Sequence, residues 1–127
     1  MKLRLGIAAA AVLLALGGAG CAMLGPCPYN VVWENHTGAK LKDVRISYGE
    51  FTTTFGIHLM VTEPLPEVAD VQFRTPDGVL HRRQVPIPMG FRRNIREADL
   101  MFFIEPDLSV SVHLRSREQR KAQAGTL

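Results

Sequence analysis

Cysteine is nearly absent from this 127-residue chain: Cys21 and Cys27 are the only two. They form no C-x-x-C and have no neighbouring histidine, which excludes the usual zinc and dithiol redox spacings. Long apolar runs are also missing. The longest, Leu5 to Leu16, stops short of the roughly 20 residues that cross a bilayer. There is no glycine-rich phosphate loop and no H-E-x-x-H, and Ser47, Ser109, Ser111 and Ser116 lack a nucleophile-elbow setting. Repeats and low-complexity tracts are absent, so a solenoid or a disordered chain is not expected. With no catalytic signature, the chain reads as non-enzymatic and without a cofactor.

What is present starts with length and charge. A chain of 127 residues suits one domain, and 46% hydrophobic content is that of a globular protein. The net charge of +3 invites a nucleic-acid partner until its distribution is considered. Lys2 and Arg4 carry two of the charges at the extreme N-terminus. Arg115, Arg117, Arg120 and Lys121, against Glu118, put a further surplus in the C-terminal tail. The body between, residues 22–114, is slightly acidic and does not attract phosphates, so no nucleic acid is expected.

The N-terminus has three parts. Lys2 and Arg4 give a basic start, Leu5 to Leu16 is apolar, and Gly17-Gly18-Ala19-Gly20 forms a zone of small residues before Cys21. That is the layout of a secretory signal. Leu16-Gly17-Gly18-Ala19-Gly20-Cys21 resembles the lipobox of bacterial lipoproteins, with Gly18 where leucine is usual. The resemblance implies cleavage after Gly20, a diacylglyceryl thioether on Cys21, and a fatty acyl group such as palmitate on the new amino terminus. Ala22, which is not Asp, then points to the periplasmic face of the outer membrane. The alternative is ordinary cleavage after Ala22. Cys27 becomes a lone thiol if Cys21 is lipidated; otherwise the two could close a small loop. Pro26 and Pro28 read as an extended tether.

From Tyr29 onward apolar residues recur with period two. Tyr29, Val31 and Trp33 alternate, as do Val44, Ile46 and Tyr48, and Phe51, Thr53, Phe55 and Ile57. Val68, Val71 and Phe73 lead to the turn Thr75-Pro76-Asp77-Gly78, and Val79 to Val85 returns. Leu100, Phe102 and Ile104 turn at Glu105-Pro106-Asp107-Leu108 into Val110, Val112 and Leu114. About seven short strands predict an all-β fold, a single antiparallel β-sandwich of immunoglobulin-like or transthyretin-like type. Short helices are expected at Phe91 to Ala98 and Ser116 to Ala124. The organisation is a signal peptide over 1–20, lipidated Cys21 and tether over 21–28, the sandwich over 29–114, and a basic tail over 115–127. Trp33 reads as core, with ligand stacking as the alternative.

The order Asn35-x-x-Gly38, Val44-x-Ile46-x-Tyr48-Gly49, Phe55-Gly56, Pro64-Leu65-Pro66, Asp77-Gly78 and Pro106-Asp107 resembles small bacterial lipoproteins of unknown function. Leu108 departs from it, since that turn often ends in glycine, and this leaves the turn type open. The group has no assigned activity, so the resemblance brings no catalytic residues.

Three further sets of side chains could carry chemistry. His58 and Met60, two apart in a strand, would share a face and could serve copper, with His81 and His113 on other strands. The ordinary alternative is exposed histidines and a gap-filling methionine. Carboxylates such as Glu63, Glu67, Asp70, Glu97, Asp99, Glu105 and Asp107 fall near turns and read as solvated acids or caps. Arg92, Arg93 and Arg96 share a loop and, with the tail, could touch lipid phosphates or an acidic partner. Solvated charge is the simpler account. The function expected is a membrane-anchored envelope lipoprotein acting as a non-enzymatic protein-binding or structural module, with a secretion or envelope accessory, or a periplasmic copper-binding domain, as alternatives.

Overall fold

The computed structural model describes residues 28–125. The leader, Cys21 and Cys27 lie outside the described residues. Eight strands follow in order: β1 Tyr29–Asn35, β2 Lys42–Tyr48, β3 Phe51–Thr53, β4 Ile57–Val61, β5 Val68–Arg74, β6 Leu80–Pro86, β7 Asp99–Ile104 and β8 Val110–Arg115. A 3-10 helix spans Met89–Asn94, and α1 spans Arg117–Gly125. The strands form two four-stranded sheets, β4-β1-β7-β8 and β3-β2-β5-β6.

The expected sandwich is present, with two differences of detail. Phe51 to Ile57 is not one strand. Thr54 to Gly56 interrupts it, so that β3 joins one sheet and β4 the other. Alternation continues on paper, but the chain crosses between layers there. The sandwich is also not wholly antiparallel, because β1 runs parallel to β7 in unbroken register from Asn30↔Asp99 to Asn35↔Ile104. A parallel pair needs a long crossover, which the intervening strands of both sheets supply. This strand order differs from the A-B-E-D and C-F-G sheets of immunoglobulin domains.

Period-two alternation places Tyr29, Val31, Leu100, Phe102 and Ile104 of one sheet against Val44, Ile46, Tyr48, Ala69, Val71 and Phe73 of the other. All are buried, and enclosing a side chain the size of Phe73 or Phe102 contributes roughly 2–3 kcal/mol. A hydrogen bond clips the layers together at one end. Tyr29 donates its hydroxyl to the Glu63 carbonyl at 2.5 Å, so Tyr48, 2.7 Å away, is the donor to Tyr29. Segment 87–98 crosses that same end and closes it with buried Ile87 and Ile95.

The two Pro-Asp turns share a geometry. Gly78 donates to Thr75 and Leu108 to Glu105, with φ of +86° and +69°. Leu108 therefore takes the left-handed conformation that glycine holds in the other hairpin. Its side chain packs on the core, and its carbonyl accepts from Arg83 Nε at 3.0 Å.

The basic tail is built in rather than loose. Ser116 Oγ accepts from Gln119 N at 3.0 Å and Gln119 Oε1 accepts from Ser116 N at 2.8 Å. This reciprocal capping box starts α1. Arg115 and Arg120 both bind Asp99, and Arg117 pairs with Glu97 at 2.9 Å. Asp99 is thus not a solvated turn acid: its side chain is 3% exposed.

Candidate functional site

A sheet has two edges, and each presents unpaired backbone donors and acceptors that proteins ordinarily blunt. Three of the four edges here are blunted. β3 has three residues; β6 carries Arg82, Arg83 and Pro86; β8 contacts β6 along its flank and is bonded to α1 through Arg115 Nη1 and Gln123 Oε1 at 2.9 Å. The fourth is different. β4, Ile57-His58-Leu59-Met60-Val61, carries no acid, lysine, arginine or proline. Ile57 is 61% exposed, Leu59 63% and Met60 69%, with Phe55 at 68% just before them. These make up half of the large hydrophobic side chains exposed among the described residues, gathered on one edge. Such a concentration marks an interaction surface more often than a chance exposure.

A bulge shapes this edge. Tyr29 pairs with Val61 but Val31 with His58, so β4 carries one extra residue there. Met60 absorbs it with φ +58°, and its N–H is taken up by Asn30 Oδ1 at 3.2 Å. Asn30 Nδ2 in turn donates to Asp99 Oδ1 at 2.8 Å, tying the bulge to the buried carboxylate. The regular part of the edge is Ile57 to Leu59.

The bulge also alters the expected relation of His58 and Met60. His58 turns towards β3, with Nδ1 3.2 Å from Thr53 Oγ1 and its ring edge-on to Phe51 at 5.1 Å. Met60 is strongly exposed, and both residues border a shallow depression with Glu50 and Glu63. Among the described residues, no three of His, Cys, Asp and Glu are placed to hold a metal ion. His81 stacks on Phe73 at 5.3 Å and meets Thr75 Oγ1 at 3.1 Å. His113 Nε2 lies 3.1 Å from Ser111 Oγ, whose hydroxyl donates to Glu105 at 3.0 Å. Here the acid holds the serine rather than the imidazole, which is not the order a nucleophilic triad requires.

A cleft of about 620 Å³ opens at the end of the sandwich away from Pro28, lined by Trp33, Leu41, Val44, Leu80, Arg45 and Arg74 among others. Trp33 is half-buried, packs on the core margin, and encloses its Nε1 without a hydrogen-bond partner among the described residues. Arg74 is held by Asp43 Oδ2 at 3.3 Å and the Gly78 carbonyl at 2.7 Å. The cleft is of a size that takes a small ligand or a partner's side chain.

Sequence reasoning did not separate β4 from β3, and so missed the edge. The available signal was Thr54-Phe55-Gly56, where a glycine breaks an otherwise apolar alternation. No known protein family, characterised protein or solved structure matches the chain. Among the described residues, no helix is long and apolar enough to cross a membrane.

Proposed function

We propose that this protein is a lipid-anchored envelope lipoprotein whose β-sandwich binds another envelope protein along the β4 edge and performs no catalysis itself. The observation that supports the binding reading is the uncharged, exposed β4 beside three blunted edges. A partner strand added there would pair its backbone with the free side of β4, while Phe55, Ile57 and Leu59 supply apolar contact. The anchor rests on the lipobox-like run ending at Cys21, and the periplasmic face of the outer membrane on Ala22.

The test is capture from solubilised envelopes with the full lipoprotein as bait, beside an Ile57→Lys/Leu59→Lys variant. Both positions are exposed, so the variant keeps its core. A partner retained by the natural protein and reduced at least tenfold by the variant supports the reading. Equal capture by both rejects the edge as the binding site.

A further inference from the structure

At the end of the sandwich where Pro28 leads into β1, segment 87–98 carries a cluster of exposed arginines. Pro28 is fixed there, because its carbonyl accepts from Glu97 N at 2.8 Å and Asn30 N donates to the Ala98 carbonyl at 2.9 Å. Both partners belong to segment 87–98, which spans this end from β6 to β7. The segment is two-sided. Ile87, Ile95 and Ala98 are buried against the body, while Met89, Arg92, Arg93 and Arg96 are exposed on the other side. Arg92 touches only the Leu65 carbonyl, at 3.3 Å, and Arg93 and Arg96 make no ion pair among the described residues.

Two acids at the same end are engaged by arginines. Glu97 is paired with Arg117, and Asp99 with Arg115 and Arg120. Glu63 accepts the Glu50 N–H, while Glu50 itself, Glu67 on the flanking loop, Asp70 near the start of β5 and Glu118 on α1 are exposed. Lys121 adds a further exposed cation on α1. Three unpaired guanidiniums around an exposed methionine, 69% accessible, combine charge for phosphates with an apolar tip.

We infer that this end is a docking face for an anionic phospholipid bilayer, which Arg92, Arg93 and Arg96 contact through lipid phosphates while Met89 enters the headgroup layer. The inference rests on the lipid-anchor reading. Only seven residues, 22–28, separate Cys21 from Tyr29, so this end lies within about 25 Å of the anchored lipid. Confinement at that distance lets weak contacts suffice, since the second attachment is intramolecular. The orientation turns the Trp33 cleft away from the bilayer and leaves β4 standing along its side.

The test uses the full mature lipoprotein with Cys27→Ser and a fluorophore on Met89→Cys, or on Asp77→Cys at the opposite end as control. Each is reconstituted in phosphatidylglycerol-containing or pure phosphatidylcholine liposomes that carry a headgroup quencher. Quenching at position 89, absent at 77, is expected in the anionic liposomes. It should fall severalfold in phosphatidylcholine, in high salt, and on Arg92→Gln/Arg93→Gln/Arg96→Gln substitution. Equal quenching in both lipids, or at both positions, overturns the docking face. The intact mass of the same sample reports the acyl groups on Cys21, and their absence overturns the anchor itself.

Discussion

Arg120, in the C-terminal helix, donates from Nη1 to Oδ1 of Asp99 at 2.6 Å, reaching a carboxylate whose side chain is almost wholly enclosed. Arg115 takes the other oxygen, with Nη2 at 2.7 Å and Nε at 2.8 Å from Oδ2. Asn30 completes the set, so one acid joins β1, β7, β8 and α1. The tail is therefore part of the sandwich.

Removing that charge should loosen the helix. Burial pushes the Asp99 carboxyl up, but the hydrogen bonds from Asn30 and Arg115 and the charges of Arg120 and Arg115 outweigh it and hold it below its ordinary value. The unfolded chain therefore takes up the proton first. The stability Asp99 contributes is complete above about pH 4 and is lost as pH falls through the lowered folded value. Asp99→Asn should cost about 3 kcal/mol near neutrality and flatten this acid limb. Urea unfolding at pH 3 to 7 checks it; an unchanged limb in the variant would count against Asp99 as its source.

The tyrosine clip gives the opposite sign at high pH. Burial, partly offset by the bond from Tyr48 and reinforced by Glu63, pushes the Tyr29 hydroxyl up to about 12 from 10.0. Burial also raises Tyr48, and its bond to Tyr29 adds to the shift. The unfolded chain loses these protons first, so stability is full below about pH 10 and falls between there and pH 12. Tyr29→Phe leaves the Glu63 carbonyl and Tyr48 hydroxyl short of a partner and should cost roughly 1–3 kcal/mol. Thermal melts from pH 8 to 12, with absorbance at the tyrosinate band, measure both effects.

Gly49 and Gly56 should respond differently to alanine. Gly49 has φ +56°, and a Cβ there would collide with the Glu63 carboxylate that caps the Glu50 N–H. Gly56 has open space and no positive φ. Gly49→Ala should destabilise by about 1–2 kcal/mol, and Gly56→Ala should change little. Similar midpoints for the two variants in denaturant would contradict the turn geometry.

Anchoring is tested at one atom. Cys21→Ser removes the thiol that carries the proposed diacylglyceryl group, so the acyl mass expected on the natural protein should be absent from the variant. A natural protein whose intact mass shows Cys21 unmodified would reject the lipid anchor.

Much of the strand content could be read directly. Tyr29-Val31-Trp33, Val44-Ile46-Tyr48 and Leu100-Phe102-Ile104 alternate because one sheet face is buried, and Ser116 with Gln119 carries its own helix start. Asp99 was not legible as a buried group, since the arginines that neutralise it sit 16 and 21 residues away. Leu108 in the left-handed region was not legible either, because its preference is overridden by core packing.

Local alternation and turn chemistry by themselves determined that this chain forms short strands folded into a sandwich, since those signals act within a few residues. Which strands become edges, that β1 lies parallel to β7, and that Arg92, Arg93 and Arg96 share the end of the sandwich where Pro28 leads into β1 were decided only by tertiary structure. Pairing across dozens of residues depends on how whole layers close over one core, and a pattern of period two is the same whichever neighbour a strand meets.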